Sequence, residues 1–160
     1  MTASANSWSP FALTWATWHL VRVTTREPRI HSLTPGIRLG RRLLARELPT
    51  DVDHVVDLTA EFREVVHARS YTSLPILDGG IPDPHELRSA IDAVPRDGVT
   101  FIHCAQGPGR TALFAACLLI DREGVDADTA LGRVLAARPG ARVRASQRSF
   151  VSGFAAQRPG

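Results

Sequence analysis

The chain has no lysine; all 19 of its Lys and Arg positions are arginine. Arginine used throughout in place of lysine reads as the composition of a GC-rich coding sequence, and nucleic acid is not expected as a partner. Cysteine is nearly absent too. Cys104 and Cys117 cannot staple a fold of 160 residues, which excludes a disulfide scaffold and suits a reducing compartment. Long apolar runs are missing. The one appreciably apolar stretch near the start, Pro10 to Val21, falls short of the ~20 residues that a membrane span needs. No basic segment precedes it, as a secretory signal requires. The expectation is a soluble, cytoplasmic protein. The six histidines include no pair at HxH or HExxH spacing, so no metal site is expected.

What is present belongs to a globular domain. Hydrophobic residues make up 44% of the chain and charged residues 22%, which excludes disorder and collagen-like classes. The length suits one domain, given roughly 100–200 residues per domain. Charge is unevenly spread. Residues 1–50 carry a net +5, residues 51–128 a net −8, and residues 129–160 hold six arginines and no acid. Basic ends around an acidic middle can surround an anionic substrate, and they can equally be a solvated surface.

Punctuation along the chain gives alternating strands and helices. Trp8, Phe11, Trp15 and Trp18 fall at helical spacing, and residues 24–36, with Pro28, Pro35 and Gly36, read as a connector. The expected division is therefore an aromatic helix and connector over 1–29 and the main domain over 30–160. Strands are expected at Ile37–Leu39, His54–Leu58, Tyr71–Leu77 and Val99–His103. Asp83-Pro84-His85-Glu86 combines an N-cap, a proline at the first helical position and a glutamate three after the cap. A core helix should run over residues 110–122, stopped by Gly124. Two more should follow, one after Asp126 or Asp128 and one from about Ser146 through Phe154. Such alternation predicts a single α/β domain with a mainly parallel central sheet flanked by helices.

The chemistry concentrates in His103-Cys104-Ala105-Gln106-Gly107-Pro108-Gly109-Arg110-Thr111. A strand ends here, a loop follows, and a buried helix begins at about Arg110. Ligands of open α/β sheets bind beyond the carboxyl ends of the strands. A glycine-bearing turn into a helix N-terminus aims backbone N–H groups at an anion. Cysteine reacts as thiolate, and a helix N-terminus beside a guanidinium favours that form. Arginine matches two phosphate oxygens at once. Thr111 can offer its hydroxyl to the sulfur, and His103 can set the electrostatics behind it. Residues 104–111 thus describe a thiolate nucleophile inside a phosphate cradle.

This nine-residue run resembles the HCxxGxxR[S/T] signature of the protein tyrosine phosphatase superfamily, in its dual-specificity-like branch. Ile30 to Gly40 is similar to the first strand of such domains, and Leu74-Pro75-Ile76-Leu77-Asp78 to the loop that carries their general acid. Arg138-Pro139-Gly140 followed by Gln147 is similar to their C-terminal region, so the resemblance covers roughly residues 30–155. It implies a cysteine phosphatase fold, with Cys104 as nucleophile and Arg110 and the loop Ala105, Gln106, Gly107, Pro108 and Gly109 as phosphate cradle. It also implies Gln147 as the residue that positions the hydrolytic water, and no cofactor. One departure is Pro108, which has no N–H to offer the phosphate.

The general acid has three candidates. Asp78 follows an extended run and precedes Gly79-Gly80, where a loop could close over the site. Asp83 is explained as a helix cap, and Asp57 by packing and a turn at a strand end. Cys117, seven residues into the apolar helix, reads as core packing. Three functions compete: a phosphatase of phosphotyrosine or phosphoserine/threonine proteins, a phosphatase of a phospholipid or other small phosphate ester, and a non-catalytic phosphate-binding module. The aromatic stripe and Arg22, Arg26 and Arg29 leave two readings open for the N-terminus. One is a helix packed on its own domain; the other is peripheral membrane contact through residues 8–29.

Overall fold

The computed structural model describes residues 28–61, 68, 70–106 and 108–157. The aromatic N-terminal stripe and Gly107 lie outside the described residues. Five strands form one sheet in the order β1-β2-β5-β3-β4. They are β1 (Ile30–Thr34), β2 (Ile37–Arg41), β3 (His54–Thr59), β4 (Ser70–Ile76) and β5 (Thr100–Cys104). All neighbouring pairs are parallel except β1 and β2. The expectation of a mainly parallel α/β domain is met.

Position in the sheet follows from composition. β5, with its β-branched and aromatic residues, is buried at all five positions and lies at the centre. β4, which holds Pro75, is an edge strand among the described residues, the position in a sheet where proline is tolerated. One expectation needs correcting. Residues 24–36 are not a connector throughout, since Ile30–Thr34 is a strand that turns back antiparallel on β2. Only partly buried, β1 shows little of the alternation that marks a strand.

Four helices follow: α1 (Pro84–Asp92), α2 (Arg110–Glu123), α3 (Ala127–Ala137) and α4 (Ala145–Ala156). The Asp83 carboxylate caps α1 by accepting from the N–H groups of His85 and Glu86 at 2.9 and 3.1 Å. Asp126 caps α3 through the N–H of Thr129. Helix α2 is buried from Arg110 to Ile120, and from Ala112 onward that buried span is apolar all round. It ends at Gly124, whose φ of 71° is the left-handed conformation that glycine adopts without strain.

Strand alternation divides the core in two. Val56, Leu58, Ile102 and Cys104 face the larger cluster, to which α1, α2, α3 and α4 all contribute. Val55 and Phe101 face the other side, where the cluster is small and adds only Leu43 and Val52 as buried members. Among the described residues, then, the helices load one face of the sheet. None of these helices is long and apolar enough to cross a membrane.

Candidate functional site

The carboxyl end of β5 delivers Cys104 to the rim of the sheet, and α2 starts six residues later at Arg110. Cys104 is 1% exposed and Arg110 3%. The loop between them is braced from two sides. The N–H of Arg42, just past β2, donates to the Cys104 carbonyl at 2.9 Å. The Arg138 guanidinium donates to the Gln106 carbonyl at 3.0 Å, and the Arg142 N–H to the Pro108 carbonyl at 2.8 Å. Gly109 leaves little room for a side chain. A Cβ there would stand 3.0 Å from Gln147 Oε1 and 3.1 Å from the Arg142 carbonyl.

Arg110 is oriented by its own contacts. Its Nη1 donates to both oxygens of Glu61 at 2.9 and 2.8 Å, and to the Ile76 carbonyl at 2.7 Å. Its Nη2 lies 3.5 Å from Asp78 Oδ1. Its Nε is buried and has no hydrogen-bond partner among the described residues. The Nε–Nη2 edge is therefore the fork left for two oxygens of an oxyanion. Burial opposes the charge of Arg110, but the attraction of Cys104, Glu61 and Asp78 outweighs it and raises the pKa. Glu61 escaped the sequence reading. It lies 49 residues from Arg110 in no motif, and only the parallel sheet brings the two together.

The three aspartates now separate. Asp83 is the cap of α1. Asp57 is buried behind the strand end, with Oδ1 accepting from the Thr59 N–H at 2.8 Å and Oδ2 from the Tyr71 hydroxyl at 3.0 Å. His103 Nδ1 lies 3.9 Å from that carboxylate, and the His103 ring stacks on Phe101 at 5.4 Å. Asp78 alone stands at the mouth, with a side chain 72% exposed. It opens a tight turn in which Gly80 N–H donates to the Leu77 carbonyl and Gly79 takes a φ of 72°.

Gln147, fully buried in the first turn of α4, ties that turn down. Its Nε2 donates to the Gly80 carbonyl at 3.1 Å, while its Oε1 accepts from the Arg144 N–H at 3.1 Å. In this arrangement both ends of the amide are engaged. The Thr111 hydroxyl is buried with no hydrogen-bond partner among the described residues. Cys117 sits fully buried in α2, and burial pushes its thiol up to about 12. No group of three His, Cys, Asp or Glu among the described residues is placed to hold a metal ion.

A buried cysteine and arginine bracketing one loop, with an exposed carboxylate across the mouth, sit on the fold of dual-specificity-type protein tyrosine phosphatases. Solved structures show the likeness directly. The structure of PTPMT1 in complex with PI(5)P matches with a TM-score of 0.72 at 19% identity, over 81% of this chain and 96% of that one. Tk-PTP in its active form gives 0.70 at 23% identity, over 82% and 99%. The human tyrosine phosphatase-like serine/threonine/tyrosine-interacting protein gives 0.69 at 17% identity, over 81% and 97%. No family model matches the chain, and no curated protein does.

Proposed function

We propose that the chain is a cysteine-dependent phosphatase of phosphorylated proteins. The observation that carries this is Cys104 and Arg110 at the two ends of one braced loop, with Asp78 3.5 Å from the guanidinium. A fold alone does not choose a function, but this set of groups supports a two-step transfer. The Cys104 thiolate attacks phosphorus as the bond to the leaving oxygen breaks, and Asp78 gives that oxygen its proton. Charge on the equatorial oxygens meets the Nε–Nη2 edge of Arg110 and the backbone N–H groups of Ala105, Gln106, Gly109 and Arg110. Water then attacks the phosphocysteine, Asp78 takes up a proton, and the sulfur leaves as thiolate beside Thr111. No cofactor enters.

Replacing Cys104 with serine should abolish release of phosphate from p-nitrophenyl phosphate and leave vanadate binding in place. Turnover within tenfold of the unaltered protein would reject the mechanism. A second reading, hydrolysis of a lipid phosphate ester, is favoured by the apolar residues on either side of Asp78. Leu77 is 73% exposed and Ile81 51%. Release of phosphate from phosphotyrosine peptides and from short-chain phospholipids, measured side by side, separates the two.

A further inference from the structure

A cleft of about 300 Å³ opens beside the cradle, lined by Asp78, Pro108, Gly109, Arg142, Arg144 and Gln147. Seven arginines elsewhere among the described residues find partners for their side chains. Arg29, Arg38, Arg88, Arg110 and Arg133 all meet carboxylates, while Arg122 and Arg138 donate to carbonyls. Arg142 and Arg144 are exposed, and neither guanidinium has an ion-pair or hydrogen-bond partner among the described residues. Their backbone is nevertheless fixed. Arg142 is hydrogen-bonded to Pro108 in the cradle itself, and the Arg144 N–H is held by Gln147. The Arg144 guanidinium rests against Gly79, so closely that a methyl group added there would collide with it. Two positive charges without an ion-pair partner thus line one cleft, and Asp78 is the acid among its described lining residues.

We propose that Arg142 and Arg144 form an anion subsite that selects phosphopeptides carrying a carboxylate beside the phosphorylated residue. This rests on the phosphatase reading above and names its substrate class. A multiply phosphorylated headgroup crowds its charges around the reacting phosphate. There Ala105, Gln106 and Pro108 offer no cation, and Arg110 is the only basic residue of the loop. The free charges lie outside, across an open cleft, where a neighbouring side chain of an extended peptide reaches. Residues 129–160 contribute no acid that could neutralise the pair.

The test uses the full chain with Cys104→Ser and two phosphotyrosine peptides, identical except for Asp or Asn on both sides of the phosphotyrosine. Fluorescence anisotropy should show the Asp peptide bound roughly five- to tenfold more tightly at low salt, the order that two exposed ion pairs supply. The preference should collapse at 1 M salt, where the Debye length is about 3 Å. It should fall to about one in Arg142→Gln/Arg144→Gln and survive in Arg142→Lys/Arg144→Lys, which keeps the charge. Equal binding of the two peptides by the parent protein would overturn the proposal, as would a preference that persists in the glutamine variant. Arginine-dependent preference for a short-chain phosphoinositide, with none between the peptides, would assign the subsite to a lipid headgroup instead. Hydrolysis of p-nitrophenyl phosphate by the unaltered protein is measured separately. Its absence alongside an intact Asp preference would sink the catalytic reading and leave the subsite standing.

Discussion

Three upstream aspartates show how environment, rather than residue type, assigns a role. Asp83 spends one oxygen on the N–H groups of α1, and Asp57 has both oxygens engaged by Thr59 and Tyr71. Asp78 alone keeps an exposed carboxyl beside the arginine that would hold the phosphate. The proposed mechanism needs a proton donor beside the phosphate cradle, and of the three aspartates Asp78 is the one next to Arg110. Asp78→Asn is therefore expected to slow hydrolysis of alkyl phosphates by about 10²–10⁴-fold, the range general acid catalysis supplies. Activated aryl phosphates, whose leaving groups need less protonation, should be slowed less. The same pattern in Asp57→Asn but not in Asp78→Asn would move the role to the strand end. Sequence placed Cys104, Arg110 and Asp78 because each lies in or next to a short local pattern. Glu61 was not visible that way, since its meaning comes only from Arg110 across the sheet.

Local punctuation also explains which elements were legible. Helices α1 and α3 announce themselves by a capping aspartate, and α2 by a buried apolar run closed with glycine. β1 was hidden because Pro28, Pro35 and Gly36 surround five half-buried residues that pair with one neighbour only. β3 and β4 carry a further consequence. His54 is buried between them, its Nδ1 2.6 Å from the Ser70 hydroxyl and its Nε2 3.1 Å from that of Thr72. Burial, and then the charge of Arg122, lowers its pKa below the ordinary value. An unfolded chain takes up this proton first as pH falls, at about 6.5. The contribution is thus present above that pH and lost as pH falls below it. Melting temperatures at pH 8 and pH 5.5 should differ more for the unaltered protein than for His54→Gln, which keeps amide hydrogen bonds without titrating. An equal difference in both would remove His54 from the account.

At the scale of the whole molecule, the two faces of the sheet are unequal. The larger cluster joins all five strands' side of the core to four helices, whereas the smaller one is built on Leu43, Val52, Val55 and Phe101. A sheet in a domain of this class is stable when both faces are covered. The sequence offers one apolar segment for which the described residues give no position, the stripe of Trp8, Phe11, Trp15 and Trp18. We propose that this segment packs on the domain rather than on a membrane. All three tryptophans of the protein lie in it, so its packing can be followed alone. If it belongs to the folded unit, tryptophan fluorescence and far-UV circular dichroism should report one coincident unfolding transition. A chain beginning at Glu27 should then melt at lower temperature, and the full chain should leave anionic vesicles unbound. Arg22, Arg26 and Arg29 make the opposite outcome readable, because arginines beside aromatic rings bind anionic headgroups in a salt-sensitive way. Vesicle binding by the full chain, lost on truncation while the melting temperature holds, would place the segment at a membrane surface instead.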